Sequence, residues 1–221
     1  MPNLVNHTDK WGFIHIPKTG GSSIDRQLTN LPNVVIIDHG HSSIRSFDSI
    51  DNYFIFCFVR NPFHRLISGY LNFNRTSIKI INQPILLTDS VFEKLFIRNF
   101  NDIIKEKNIR EITLSEFIKL IDNHRTFMPD TQSWQIYDGE TPEKKVSFIG
   151  RYENYDKDVR FIFDKININY TSLHDNSNQI TSKYVTREEF YKQQYTEQWM
   201  VDWVLEYYKE DFENFGYDKK L

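Results

Sequence analysis

The sequence predicts an α/β fold, a central parallel sheet flanked by helices, and three observations carry that prediction. Short apolar runs that read as strands alternate with segments of helical spacing. Two of the runs, Asn33–Asp38 (NVVIID) and Tyr53–Val59 (YFIFCFV), are almost continuously apolar, as strands covered on both faces are. Each early run ends in a polar cluster, PKTGGSS, HGHSS or RNPFHR, and in an open parallel sheet ligands gather at the carboxyl ends of the strands.

Taken in chain order, Gly12–Ile16 (GFIHI) is the first strand, and the segment SIDRQLTN suits a helix running off the glycine pair that follows it. Asn33–Asp38 and Tyr53–Val59 are the next two strands. Asn61 and Pro62 then form a helix start, an N-cap followed by proline at the first helical position, and this helix carries Arg65, Ser68 and Tyr70. Between residues 72 and 111 the composition supports one helix, near Ser90 to Asn108. Thr113 and Glu116 make a capping-box pattern before FIKLID, predicting a short helix. The stretch HRTFMPDTQSWQIYDG reads as loop. KVSFIG, ending at Gly150, is the fourth strand, and after it Val159, Ile162, Phe163 and Ile166 repeat at helical spacing. The last element, from Glu197 to about Phe215, is a packed helix with Trp199, Trp203 and Tyr207 at i, i+4 and i+8 beside Met200, Val204 and Tyr208. Its aromatics read as core. No repeat, linker or low-complexity tract interrupts the chain, so residues 1–221 are expected to form a single domain.

Charge and composition narrow the function. The net charge is -3, but residues 1–75 carry 7 Lys and Arg against 5 Asp and Glu, and the remainder 20 against 25. A general nucleic-acid binder shows a broad basic face, whereas here a few cations sit among glycine, serine and histidine, the pattern of local anion binding. The single cysteine, Cys57, lies inside an apolar run and reads as a small packed hydrophobe. The N-terminal stretch MPNLVNHTDKWGF has no apolar segment of signal-peptide type, and Tyr53–Val59 is far below membrane-spanning length. A soluble, cytoplasmic protein without an integral membrane segment is the expectation.

The stretch FIHIPKTGGSSI, Phe13–Ile24, has the chemistry of an anion cradle. Glycines between a strand and a helix let backbone N–H groups approach a ligand, and the helix N-terminus adds a favourable dipole. Lys18 supplies a cation, and Thr19, Ser22 and Ser23 supply hydroxyl donors. A Walker loop would place the lysine after the glycines with a Ser or Thr beside it for magnesium, and here the lysine precedes them. Asp38 alone ends a strand as a Walker B partner would, so ATP and magnesium chemistry is disfavoured. In RNPFHRLISGY, Arg60 at a strand end, with Arg65 and Ser68 three residues apart on the next helix, forms a second anion site. Two separated anion sites imply a ligand with two phosphates.

HIPKTGGSS followed by FVRNPFHRLISGY resembles the paired cofactor motifs of sulfotransferases that use 3′-phosphoadenosine 5′-phosphosulfate (PAPS), in the carbohydrate branch that includes the heparan and chondroitin enzymes. The resemblance implies the P-loop NTPase-like sulfotransferase fold. It implies that Pro17, Lys18, Thr19, Gly20, Gly21, Ser22 and Ser23 bind the 5′-phosphosulfate, that Arg60 and Ser68 bind the 3′-phosphate, and that PAP is the product. TFMPDTQSW, VSFIGRYENYDKD and the closing YTEQWMVDWVLEYYKEDFENFGY extend it over most of the chain, leaving out residues 72–112.

The cluster IIDHGHSS is similar to the histidine, glycine, histidine sequence that supplies the general base in the heparan 2-O branch, which makes His41 the expected base and His39 its orienting or substrate-contacting partner. Glu153 is the rival, because other members of the family use a glutamate, but it sits where a helix start already favours a carboxylate. No third ligand accompanies the two histidines, so no metal is expected. His124, Arg125 and Gln132 are candidate acceptor contacts, and Ser182, Lys183 and Tyr184 a segment covering the adenosine. The expected reaction is transfer of a sulfuryl group to a hydroxyl of a carbohydrate or glycoconjugate. The alternatives are a P-loop kinase and a non-catalytic binder of glycans or nucleotides.

Overall fold

The computed structural model describes residues 2–37, 43–47, 50, 52–82, 112–124, 131–137, 146–170 and 186–221. His39, His41 and Lys183 lie outside the described residues, as do Asp38, Arg125, Ser182, Tyr184 and the helix expected near Ser90 to Asn108.

Five strands form one sheet: β1 (Leu4–Asn6), β2 (Trp11–Ile14), β3 (Val34–Ile36), β4 (Phe54–Val59) and β5 (Phe148–Arg151), in spatial order β3-β1-β2-β4-β5. The centre is parallel, with β2 beside β4 and β4 beside β5, while β1 runs antiparallel to both β2 and β3. β1 is not legible in the sequence because LVN is too short a run to signal a strand. A local turn produces it: the Asn6 side chain accepts from the N–H groups of Thr8 at 3.0 Å and Asp9 at 2.9 Å, folding the chain back into β2.

β4 is the strand its sequence predicts. Phe56 and Phe58 point to one face of the sheet, and Ile55, Cys57 and Val59 to the other, all of them closed to solvent. Burial pushes the Cys57 thiol up, in keeping with an inert packed residue. Removing either phenylalanine ring would cost about 3–5 kcal/mol. β3 departs from expectation. It is an edge strand, with Val35 48% and Ile36 40% exposed, because β1 takes the place beside β2.

Helix α1 (Gly21–Leu28) and helix α5 (Tyr155–Lys165) cover the face of Phe56 and Phe58 through Ile24, Leu28, Val159, Ile162 and Phe163. The short helix α4 (Gln132–Tyr137) contributes Ile136 to the other face, in a stretch whose sequence reads as loop. Helices α2 (Pro62–Asn82), α3 (Leu114–His124), α6 (Arg187–Gln194), α7 (Gln198–Tyr207) and α8 (Lys209–Phe215) build a separate apolar cluster around Phe63, Phe117, Val204 and Phe212. Thr113 and Glu116 exchange hydrogen bonds as the capping box predicts, at 2.8 Å and 3.2 Å. The single C-terminal helix expected from Glu197 is two helices that break at Tyr208, and its fully buried stripe is Met200, Val204 and Tyr208. Trp199, Trp203 and Tyr207 flank that stripe half-buried, with Trp203 and Tyr207 stacked at 4.5 Å. Among the described residues no helix is long and apolar enough to cross a membrane.

Candidate active site

The site is built where β2, β4 and β5 end. After β2 the chain turns sharply, and Lys18 holds a left-handed φ of 69°, a conformation that costs a non-glycine residue energy and marks a held position. Gly20 follows at φ 92° as the N-cap of α1, with no side chain capping the helix.

The two glycines are required by neighbours within the fold. A Cβ on Gly20 would stand 2.7 Å from the Tyr155 ring, and one on Gly21 would stand 2.6 Å from Nε2 of His15. The Tyr155 hydroxyl also donates to the Gly20 carbonyl at 2.8 Å, tying the loop to α5. Thr19 is turned inward, its hydroxyl donating to the Ile16 carbonyl at 2.9 Å, and Ser23 is buried against Tyr155. Ser22 is therefore the partly open hydroxyl of the three.

Arg60 leaves the end of β4 and returns to the loop. Its Nη1 donates to the Lys18 carbonyl at 3.2 Å and its Nη2 to the Tyr191 hydroxyl at 2.7 Å, while the Tyr152 ring lies 4.0 Å from its guanidinium carbon. Its main chain is gripped by Gln132, which accepts from the Arg60 N–H at 2.8 Å and donates to the Arg60 carbonyl at 2.9 Å. Gln132 is closed to solvent, so it is a support of Arg60 and not the acceptor contact expected of it. Asp211 completes this support by accepting from the N–H groups of Gln132 at 3.0 Å and Ser133 at 2.7 Å.

Asn61 caps α2 as predicted, accepting from the N–H of Phe63 at 2.9 Å. Arg65 is held beneath the cradle with Nη1 and Nη2 buried and without a hydrogen-bond partner among the described residues. It is fully buried, donates from Nε to the Pro17 carbonyl at 3.0 Å, and lies 4.0 Å from Asp211 through Nη1, so it supports the cradle from beneath. Pro17 thus serves through its carbonyl. Ser68 sits on the same helix face as Arg65, three residues on, and is nearly buried. Glu153 spends both carboxylate oxygens, accepting from the Asn61 N–H at 2.8 Å and from the Tyr217 hydroxyl at 3.0 Å.

The electrostatic outcome is concentrated on Lys18. Burial, and then the positive charges of Arg75, Arg60 and Arg65, bring its amine down to about 7. Such a collection of cations favours an anion that would neutralise it. Among the described residues no cluster of three metal-ligating side chains comes together.

The model of the sulfotransferase family matches residues 2–218. The chain belongs to the sulfotransferase family. In this sulfotransferase family member, the mixed sheet with helices on its faces is consistent with the fold that the motifs of FIHIPKTGGSSI and RNPFHRLISGY imply. An uncharacterized protein of Archaeoglobus fulgidus is 26% identical over 118 residues, 53% of this chain and 71% of that protein. No solved structure matches the chain.

Sequence reasoning passes over four side chains of this candidate site: Tyr152, Tyr155, Tyr191 and Arg75. Tyr152 has a readable signal, since it directly follows a strand end in GRYEN, at the same edge as the other clusters. Tyr191 has a weaker one in the Thr186 cap of its helix, where Thr186 accepts from the N–H of Glu189 at 3.0 Å.

Proposed function

We propose that the protein transfers a sulfuryl group from PAPS to a hydroxyl of a carbohydrate or glycoconjugate. The observation that carries this reading is the convergence of Lys18 and Arg60 at neighbouring strand ends, with no carboxylate paired to either among the described residues. The residues fit a donor with two anionic ends. The Arg60 Nε is buried without a hydrogen-bond partner among the described residues, and Lys18 gives up its proton readily in the absence of a counter-charge.

Bound PAPS supplies an activated sulfuryl group and a good leaving oxygen. Lys18 and the first N–H groups of α1 hold the phosphosulfate end, and Arg60 with Ser68 holds the 3′-phosphate. Lys18 would neutralise the charge that develops on the donor's bridging oxygen as the sulfuryl group passes to the acceptor hydroxyl. His41, oriented by His39, takes the proton of the acceptor hydroxyl as general base. Lys183 contributes to binding the adenosine end of the donor. The reaction needs no metal, the protein works in the cytoplasm, and residues 1–221 act as one domain.

Incubation with sulfur-labelled PAPS and a panel of glycan, lipid-linked and nucleotide-activated sugar acceptors tests the reading. Label transferred to a sugar hydroxyl is the expected result. Thermal stabilisation by ATP with magnesium, but not by adenosine 3′,5′-bisphosphate, would overturn it in favour of a kinase.

A further inference from the structure

Arg60 can read a phosphate only if its planar fork is held in one orientation, and among the described residues it is held without a carboxylate. The Lys18 carbonyl takes a proton of Nη1, the Tyr191 hydroxyl takes one of Nη2, and the Tyr152 ring covers a face. Arg60 is 4% and Tyr191 5% exposed, so this contact is sheltered from competing water.

Tyr191 reaches Arg60 from α6, which is docked by polar contacts on three sides. Glu188 lies 3.2 Å from Nε2 of His64, Arg187 donates to the Tyr152 hydroxyl at 3.3 Å, and Tyr195 donates to the Phe63 carbonyl at 2.9 Å. The His64 ring packs against the Tyr191 ring, 4.6 Å between centroids, and fixes where the hydroxyl points. Burial pushes the Tyr191 hydroxyl up, so it stays a neutral phenol at neutral pH and accepts from Arg60 without cancelling its charge.

We propose that Tyr191 is a positioning residue for Arg60, fixing the guanidinium so that its Nε–H and remaining terminal N–H groups meet the 3′-phosphate of the donor. This rests on the reading that Arg60 holds that phosphate. Tyr191 is preferable to a carboxylate at this place, because an acidic partner would repel the phosphate that the fork is there to bind. It also makes α6, remote in sequence from both anion motifs, part of the donor site.

The test is calorimetric binding of adenosine 3′,5′-bisphosphate and of 5′-AMP, which lacks the second phosphate, to the wild type, Tyr191→Phe, Arg60→Gln and the double variant. Tyr191→Phe keeps the ring and its packing and removes only the hydroxyl. The wild type should prefer the bisphosphate, and Tyr191→Phe should weaken the bisphosphate about tenfold while changing 5′-AMP less than about twofold. In the Arg60→Gln background, Tyr191→Phe should add almost nothing, since the two residues act as one unit. Arg60→Lys, which keeps the charge without the fork, should show the same loss of coupling. If Tyr191→Phe leaves bisphosphate binding unchanged, weakens both ligands equally, or adds fully to Arg60→Gln, the inference fails while the reading of Arg60 stands. If the wild type binds both ligands equally, the reading of Arg60 fails and the inference fails with it.

Discussion

The side-chain amide of Gln132 closes on the main chain of Arg60 from both sides, taking its N–H at 2.8 Å and giving to its carbonyl at 2.9 Å. In effect Gln132 continues the sheet past the end of β4, standing in for a neighbouring strand at the residue that leads into the site. Gln132→Ala should therefore leave two buried backbone groups unpaired and destabilise the protein by roughly 2–4 kcal/mol, read as a lower urea midpoint. Gln132→Glu should be no milder, because it sets a second carboxylate beside Asp211, whose Oδ2 lies 3.1 Å from the Gln132 amide nitrogen.

Lys18 should make ligand binding and stability depend on pH in a defined window. Its amine titrates at about 7 when folded against 10.5 for an exposed lysine, so between these values the unfolded state carries the extra proton. Stability of the ligand-free protein should accordingly rise with pH from about 7 to 10.5, with the full penalty of the buried charge present below 7. An anion restores the charge, so binding of adenosine 3′,5′-bisphosphate at pH 8 should take up protons and weaken as the pH rises. Calorimetry in buffers of different ionisation enthalpy reads this uptake, and Lys18→Met should abolish it while making the empty protein more stable at pH 7.

Transfer itself should separate the roles of the candidates. Lys18→Ala should abolish transfer. His41→Ala should lower turnover roughly 10²- to 10⁴-fold with donor affinity intact. Glu153→Gln should retain most activity, because an amide oxygen can still accept from the Asn61 N–H that now bonds Oε1. Steady-state kinetics with labelled donor decides, and an inactive Glu153→Gln beside an active His41→Ala would reverse the assignment of the base.

The two loop glycines should respond differently to repair. Gly21→Ala collides with His15, so shortening that ring in His15→Ser should recover much of the lost stability. Gly20→Ala meets Tyr155 and also a φ of 92°, so trimming Tyr155 should leave on the order of 1–3 kcal/mol unrecovered. Urea denaturation of the four variants measures both.

What can be read from the sequence is whatever has a strong local cause. The apolar run of β4, the Asn61 and Pro62 start of α2, the Thr113 capping box and the amphipathic α5 each carry their own signal, and each stands where it is expected. The Lys18 and Arg60 motifs are legible because cations amid glycine and serine at strand ends have few other uses. Partnerships made across the fold are not legible. Gln132 bonds a residue 72 positions away and Tyr191 one 131 positions away, and neither side chain announces its partner. Arg65 shows the same limit, since helix spacing gives its face but not that a loop carbonyl lies there, and β3 is an edge only because a hairpin too short to read takes its neighbour's place.

That hairpin also sets a width. Leu4 of β1 pairs with Phe13 on one side and Ile36 on the other, so the ends of β2 and β3 are level but two strand spacings, about 10 Å, apart. The segment that begins after Ile36 and carries His39 and His41 thus starts two strand positions away from the Lys18 loop, with β1 between them. A chain without β1 would have brought the two loops side by side; here the space between their starting points is filled by Asn3, whose carbonyl accepts from the Ile37 N–H at 3.1 Å and whose Oδ1 accepts from the His15 N–H at 2.8 Å.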